Sequence, residues 1–385
     1  MIKGCDLMIP GPIPVENDVL LEMASPVVAH YGGEWARVYE ETVELAKKIF
    51  RTKNQLFIWV GSGHAGIDAA MGSLLEPGDE ILVPASGHFG IRLGEIAGSW
   101  GANVRSLSVA PGEVIQPEAV ERELAAHPGI KVVGLVHHET ATGLANPLKE
   151  IAQVVKRAGA LLVVDAVSSL GGLELDVDGW GIDICVSASQ KCLEAPPGLV
   201  LVSVSDAAWE AMKGRTSAIP GWYLNLLRWK EFADRFPDHQ PYFITMAVNN
   251  VLALRRSMQL VLNEGLEARV ARHRAVGLAF RRGLQAMGLA PVGDEHYASG
   301  IVSVFYVPEG HSSREIVEFL KEEFGIQVAS GLRELAETTV RVGHMGPGAR
   351  MTRIMPVLFG IEEWLRRKSH RAIAAGASMA GIARE

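Results

Sequence analysis

Ser187-Ala188-Ser189-Gln190-Lys191-Cys192-Leu193 runs directly into Glu194-Ala195-Pro196-Pro197-Gly198, and the rest of the chain is organised around this stretch. Before it, Gly181-Ile182-Asp183-Ile184-Cys185-Val186 is a short apolar segment that reads as a buried strand. After it, Pro-Pro-Gly forces a rigid turn, and the apolar run over 199–204 reads as the returning strand. One lysine therefore sits at the mouth of a strand pair, among small hydroxyl residues. Taken alone, Lys191 is either a solvated lysine in a hairpin loop or a desolvated amine. A desolvated lysine has a lowered pKa and attacks carbonyls to form a Schiff base. The segments upstream bear on that choice.

Leu56-Phe57-Ile58-Trp59-Val60 reads as a strand running into Gly61-Ser62-Gly63-His64-Ala65-Gly66, with a helix expected over 67–75. A glycine-rich turn at a helix N-terminus exposes backbone N–H groups where the dipole favours an anion. A phosphate fits there, with Ser62 and His64 as further donors; the other reading is a tight turn that needs glycine for its geometry. The strand over 80–84 exits into Ser86-Gly87-His88-Phe89-Gly90, where Phe89 either stacks on a flat ring or packs in its loop. A helix over 92–100 and a strand over 103–108 follow. The strand over 131–136 ends in His137-His138-Glu139-Thr140-Ala141-Thr142-Gly143. Adjacent histidines on an extended chain face opposite ways, so no metal site is expected. A helix over 148–158 leads into Ala160-Leu161-Leu162-Val163-Val164-Asp165, the near-continuous apolar run of a strand buried on both faces. It ends in an acid, which needs a partner.

Strands alternate with helices, which indicates an α/β domain whose mostly parallel sheet is flanked by helices. In such sheets ligands bind beyond the carboxyl ends of the strands. The glycine turn, Phe89, Glu139-Thr140, Asp165 and Ser189-Gln190-Lys191 all fall at expected strand exits. One crevice would then collect a phosphate cradle, a stacking ring, an acid and a lysine. Pyridoxal phosphate has those four needs: a phosphate, a flat ring, a pyridinium nitrogen and an aldehyde.

At 385 residues the chain is long for one core, so two domains are expected. An extended arm over 1–16 carries Ile9-Pro10-Gly11-Pro12-Ile13-Pro14 and should lie on another surface, such as a partner subunit. The large domain spans 17–260 and begins with a helix over 35–50. A helical run over 246–287, broken at Asn263-Glu264-Gly265, holds the boundary. The smaller C-terminal α+β domain spans 261–385. Strands are expected there over 301–306, 326–329 and 339–343, helices over 314–324 and 362–375, and a frayed tail over 374–385.

The formal charge of −7 gives no reason to expect nucleic acid or an anionic membrane as partner. Cys5, Cys185 and Cys192 are too few for a disulfide framework and lack metal-ligand spacing, which suits a reducing compartment. With no bilayer-length apolar run and no signal pattern in Met1-Ile2-Lys3-Gly4-Cys5-Asp6, a cytoplasmic location is expected.

Taken in order, these motifs resemble the alanine–glyoxylate and serine–glyoxylate aminotransferases, in the class V branch of fold-type I pyridoxal-phosphate enzymes. The likeness covers nearly the whole chain. It includes the proline-rich arm, Gly61-Ser62-Gly63-His64, His138-Glu139-Thr140-Ala141-Thr142-Gly143, Val163-Val164-Asp165-Ala166-Val167-Ser168-Ser169, the Lys191 stretch and Arg341-Val342-Gly343-His344-Met345-Gly346. The resemblance implies that Lys191 forms the Schiff-base link to the cofactor and then shuttles the substrate Cα proton. It implies that Asp165 keeps the pyridine nitrogen protonated and that Val167 packs on one ring face. Phe89 stands where many relatives place a stacking tryptophan. Ser62, Gly63, His64 and Gln190 would hold the phosphate, and Thr140 would lie near the ring oxygen. Tyr242 and Thr245 match a Tyr-x-x-Thr pair that in relatives reaches the neighbouring subunit's phosphate, which implies a homodimer or a pair of such dimers. Arg341 matches the arginine that grips the substrate α-carboxylate, a bidentate task suited to a planar guanidinium.

Ureidoglycine–glyoxylate and pyridoxamine–pyruvate aminotransferases share this scaffold and are the alternatives. The second also shows a His-His-acid-Thr run and an Arg-x-Gly-His-Met-Gly-Pro run, but has an acidic residue where Ser62 stands. A cysteine desulfurase or other class V lyase is disfavoured, because the desulfurase needs a cysteine in the C-terminal half and the last one here is Cys192. A non-catalytic cofactor-binding module is disfavoured by Lys191, Asp165 and Arg341 together. Arg341 is the one guanidinium in a recognised motif, and Arg92 is expected on a surface helix. The expected reaction therefore moves an amino group from a small donor, serine or alanine, to glyoxylate or pyruvate. With 2-oxoglutarate a second carboxylate would be buried unpaired.

Overall fold

The computed structural model describes residues 4–369 and 373–382. The arm contributes β1 (Asp6–Leu7), and helices α1 (Asn17–Met23) and α2 (Gly33–Phe50) follow. Strand and helix then alternate: β2 (Gln55–Val60), α3 (Gly63–Leu74), β3 (Glu80–Ala85), α4 (His88–Ser99), β4 (Asn103–Ser108), α5 (Pro117–Ala126) and β5 (Ile130–Val136). A small hairpin of β6 (His138–Glu139) and β7 (Leu144–Ala145) precedes α6 (Leu148–Arg157), β8 (Leu161–Asp165), α7 (Val177–Trp180), β9 (Ile184–Ala188) and β10 (Leu199–Val204). Helices α8 (Asp206–Lys213), α9 (Leu226–Arg235), α10 (Val248–Glu264) and α11 (Leu266–Ala286) come next. The chain closes with β11 (Val302–Tyr306), α12 (Ser313–Phe324), β12 (Ile326–Gln327), β13 (Ala329–Ser330), β14 (Thr339–Gly343), α13 (Met351–Arg367) and α14 (Ala377–Ile382).

The large sheet has seven strands in the order β2-β10-β9-β8-β5-β3-β4. In it β10 runs antiparallel to both its neighbours and the other strands are mutually parallel. Its inner strands are runs of Val, Ile and Leu because helices cover both faces. Helix α6 turns Leu148, Ile151, Ala152, Val154 and Val155 inward and leaves Lys149 and Glu150 outside, the apolar stripe of a helix on a sheet. Trp59 on β2 and Trp229 on α9 stack inside the same core, with ring centroids 4.8 Å apart. A second core gathers Phe280, Leu284, Phe305, Ile316, Leu320, Ile354, Leu358 and Trp364 around a three-stranded sheet in the order β11-β14-β13. Gly265, at φ 85°, separates α10 from α11 between the two cores.

Several expectations shift. Helix α3 starts at Gly63, before the expected 67, and α4 starts at His88, so Phe89 stands in a first helical turn instead of a loop. The arm lies on its own chain: β1 pairs in parallel with β12, Asp6 opposite Ile326, and Gly343 donates its N–H to Met8 O at 2.8 Å. The helix expected over 362–375 is α13, which begins eleven residues earlier at Met351. Pro356 lies inside it, and the lost N–H obscured the helical pattern. The tail expected to fray forms α14 instead, with Ser378 and Gly381 buried. Glu362 holds it, accepting from Gly376 N at 2.6 Å, Ser378 N at 3.0 Å and Ser378 Oγ at 2.6 Å. Residues 370–372 and 383–385 of those expectations lie outside the described residues.

Helix α3 touches the sheet at Gly66. A methyl group there would lie 2.6 Å from Val186 Cγ1 and 2.7 Å from Val200 Cγ2. Gly66→Ala should therefore overpack the large core and cost about 1–3 kcal/mol, read as a lowered midpoint in denaturant. An unchanged midpoint would refute that packing.

Candidate active site

The parallel strands β2, β3, β5, β8 and β9 all end on one side of the sheet, and their exits supply the crevice. Lys191 follows β9 in a loop closed on itself. Glu194 N–H donates to Lys191 O at 2.8 Å, Ala195 N–H to Ser189 O at 3.0 Å, and Ser189 Oγ to Pro196 O at 2.7 Å. The Lys191 amine donates to Pro10 O of the arm, which roofs it. A methyl group on Gly11 would lie 2.5 Å from the Lys191 Nζ, so the roof leaves room for glycine only. Burial brings the Lys191 pKa down to about 8; the neighbouring Cys192 and Asp165 oppose the shift and the Arg341 charge adds to it.

Asp165 is the last residue of β8, and Val167 N–H donates to its Oδ1 at 2.9 Å. The residue is half-buried, but its carboxylate is desolvated, and its pKa rises to about 6. Val167 also backs the start of α3, where it would collide with any side chain at Gly63. Ser62 is the N-cap of α3 and makes no side-chain cap bond. Among the described residues the N–H groups of Gly63 and His64 have no protein acceptor, which leaves the helix N-terminus open to an anion. The His64 ring lies nearly parallel to Phe89, 29° apart with centroids at 6.3 Å. Its pKa is lowered by burial and by the charges of Arg92 and Lys191. Thr140 Oγ1 donates to Ser168 Oγ at 3.2 Å, and Ser168 Oγ also meets His138 Nδ1 at 2.9 Å. His138 Nε2 is buried without a partner. Gln190, at the exit of β9, is half-buried.

Arg341 stands on β14 and is tethered through one nitrogen, Nε donating to Ser330 O at 2.8 Å. Its terminal nitrogens carry no hydrogen bond among the described residues. Burial brings its pKa down to about 10, opposed by the Glu139 charge. Sequence reasoning placed Glu139 at the crevice but gave it no role. This carboxylate is fully buried and accepts from Phe89 N at 3.0 Å, Gly90 N at 3.3 Å and Ala141 N at 3.0 Å. It ties the Phe89 turn to the strand end that carries Thr140. The available signal was Gly87: a methyl group there would lie 2.7 Å from Glu139 Cγ. Burial pushes the Glu139 pKa up to about 7 against those three N–H groups.

Two expectations change. Tyr242 does not reach outward. It is fully buried, accepts from Trp35 Nε1 and donates to His30 O at 2.5 Å, so its hydroxyl is consumed inside the chain. Thr245, by contrast, is exposed. Arg92 is half-buried on α4, and its charge is felt by His64 and His88, so it belongs to the crevice side of that helix. Among the described residues no cluster of His, Cys, Asp or Glu could hold a metal ion.

These residues fit pyridoxal phosphate. The free amides at the start of α3 suit its phosphate, Asp165 its ring nitrogen, Phe89 and Val167 its ring, and the Lys191 amine its aldehyde.

Comparison with known proteins agrees. The family model for Aminotransferase class-V matches residues 17–351. An uncharacterized aminotransferase of Methanocaldococcus jannaschii is 42% identical, covering 88% of this chain and 87% of its own. The crystal structure of ureidoglycine-glyoxylate aminotransferase from Bacillus subtilis superposes with a TM-score of 0.93 at 34% identity, covering 99% of this chain and 98% of that one. Pyridoxamine-pyruvate aminotransferase from Mesorhizobium loti gives a TM-score of 0.93 at 32% identity, covering 99% and 97%.

Glu139 has a folded-state pKa above its ordinary value, so the native chain holds that proton more tightly than the unfolded one. This stabilisation is complete below about pH 4.5 and is lost as pH rises to about 7. The buried histidines act the other way and do so in both proteins, so across that window the thermal midpoint of cofactor-free Glu139→Gln should rise relative to that of the wild type. Equal slopes in both proteins would contradict the burial of this carboxylate.

Proposed function

The chain belongs to the class V aminotransferases, and from that premise we propose that it moves an amino group from a small donor, serine or alanine, to glyoxylate or pyruvate. Enzymes of this family depend on pyridoxal phosphate, which when bound supplies an aldehyde for the amine and an electron-withdrawing ring. The observation that carries the substrate reading is Arg341, tethered through Nε with both terminal nitrogens unbonded among the described residues, on the side of the crevice facing Lys191.

Each residue has a defined task. The Arg341 fork binds the α-carboxylate of donor and acceptor alike, which fixes the substrate α-carbon. Lys191, with its pKa near 8, is basic enough to take the proton from that carbon and acidic enough to return it. The Asp165 carboxylate would hold the ring nitrogen in its protonated form, and a cationic partner there would favour the ionised carboxylate against the burial that raises its pKa to about 6. Glu139 fixes the Phe89 turn through two backbone N–H groups and so sets the ring that flanks the site. The arm over Lys191 excludes water and, at Gly11, limits the size of the donor side chain.

A second reading has one observation behind it. Arg92 and Arg333 both bear on His88, and Arg333 Nε meets His88 Nδ1 at 3.0 Å. Guanidinium groups there would suit the distal carboxylate of a dicarboxylic acceptor.

We also propose a homodimer in the cytoplasm, with large and small domains divided at the α10–α11 junction. Large apolar side chains stand exposed on the segment that packs beside α10, including Leu21, Val27 and Tyr31, and Trp222 is exposed next to Phe243. Thr245 is exposed near them. Three free cysteines fit a reducing compartment.

Borohydride reduction and peptide mapping should label Lys191 and no other lysine, and Asp165→Asn should keep cofactor while losing most activity. Arg341→Ala should cost about 3–5 kcal/mol in kcat/KM for glyoxylate and pyruvate, with lysine rescuing only partly. If 2-oxoglutarate is the best acceptor, the dicarboxylate reading replaces the monocarboxylate one. Sedimentation should give a dimer; a fully active monomer would remove the shared-interface proposal.

A further inference from the structure

A buried charge cluster outside the crevice is used by none of these steps. Arg269 on α11 is 2% exposed, and its donors converge on four acceptors. Nε donates to Gly171 O at 2.6 Å, one terminal nitrogen to Glu264 Oε2 at 2.8 Å, and the other to Cys192 O at 3.0 Å and to the Glu194 carboxylate. Glu194 is itself buried, at 5% exposure, and sits at φ 56°, in the left-handed region. It closes the turn that presents Lys191, since its N–H bonds Lys191 O.

The same carboxylate abuts Gly346, where any side chain would collide with it. Gly346 lies five residues beyond Arg341 in the loop that follows β14. Its N–H donates to His273 Nε2 at 2.9 Å, and Arg272 donates to Gly346 O at 2.9 Å and Ala349 O at 2.8 Å. Arg272 also pairs with Glu264, the last residue of α10 before the Gly265 break. The lysine turn, the break between helices and the loop after the substrate arginine therefore meet at one pair of side chains.

We propose that the Glu194–Arg269 ion pair is a positioning device that sets the separation of Lys191 from Arg341. The reaction needs these two groups at a fixed spacing, one on the α-carbon and the other on the carboxylate of the same small substrate. They sit on different cores, β9 in the first and β14 in the second, so the spacing must be carried by contacts between cores. Arg269 holds the backbone of the lysine turn at Gly171 and Cys192, while Glu194 sets how closely the Gly346 loop approaches. A guanidinium that donates to four acceptors suits this task, because its planar fork fixes directions as well as distances. The inference rests on the proposed roles of Lys191 and Arg341.

The test uses the full chain with Glu194→Gln and the double variant Glu194→Gln/Arg269→Gln. The first readout is the Lys191 pKa in the cofactor-free protein, from competitive acetylation and mass spectrometry across pH. The groups that bear on this amine are Cys192 beside it, Asp165 from β8, Arg341 from β14, His64 from α3 and His138 from β6. Neither Glu194 nor Arg269 is among these groups, so a change of about half a unit or more in the Lys191 pKa of Glu194→Gln, which is the result expected, reports a displaced amine. The double variant also loses the ties to Gly171 and Cys192 and should shift that pKa at least as far. Its kcat/KM for the oxo acid should be at least tenfold down, because the turn that presents Lys191 has lost those ties. An unmoved lysine pKa in Glu194→Gln overturns the proposal, and so does wild-type kcat/KM in the double variant. If the single variant fails to fold, the double variant, which buries no lone charge, decides on kcat/KM alone. Failure of the Lys191 or Arg341 roles is distinguishable, because borohydride mapping and Arg341→Ala read them directly.

Discussion

A lysine amine kept out of water at the end of a sheet strand is the constraint on which the rest of this protein depends. Desolvation makes Lys191 a usable base near neutral pH, and the same desolvation would expel it if nothing answered its charge. Asp165 and Glu139 bring acids to the same edge and Arg341 brings a second cation, while burial keeps His64 and His138 neutral. A parallel sheet covered on both faces can do this because its strand ends are where successive connections converge. Polar groups widely separated in the chain then share one low-dielectric space, and each one's protonation depends on the others.

The sequence disclosed those parts of the structure whose cause is local. The run from Leu161 to Val164 is apolar throughout, which only a strand buried on both faces explains, and the acid that ends it announces itself. The glycines before His64 mark the turn into α3, and Pro-Pro-Gly marks the return of β10. The role of Glu139 escaped because its work is done on Phe89 and Gly90, about fifty positions away, and no local pattern records two N–H groups arriving from elsewhere. Tyr242 shows a similar limit: a Tyr-x-x-Thr spacing says nothing about which way the ring turns, and packing among Trp35 and Tyr39 turns it inward. Helix α14 is short and rich in small residues, so only its docking on α11 and its bonds from Glu362 account for it.

Close approach recurs wherever the two cores meet. Gly11 lets the arm descend on Lys191, Gly343 lets it pass β14, and Gly346 lets the loop after Arg341 approach Glu194. Each removes a side chain where backbone must touch a functional group or another backbone. The domains are thus joined by backbone-to-side-chain contacts around the crevice, and a change in their relative position would be felt first at the lysine and the arginine.

The pairing of β1 with β12 also bears on the order in which the molecule is assembled. Asp6 and its partner Ile326 are 320 positions apart, so the arm is synthesised well before the strand it pairs with. At translation rates of roughly 5–20 residues per second the arm waits on the order of tens of seconds for its strand. The large sheet is complete at Val204 and its core at Val261, so the first core has the material to collapse while the arm is still unpaired and the lysine still open. Such long-range pairing is slow to form. The site is roofed last, which gives a nascent chain an interval in which a ligand can enter before the arm closes.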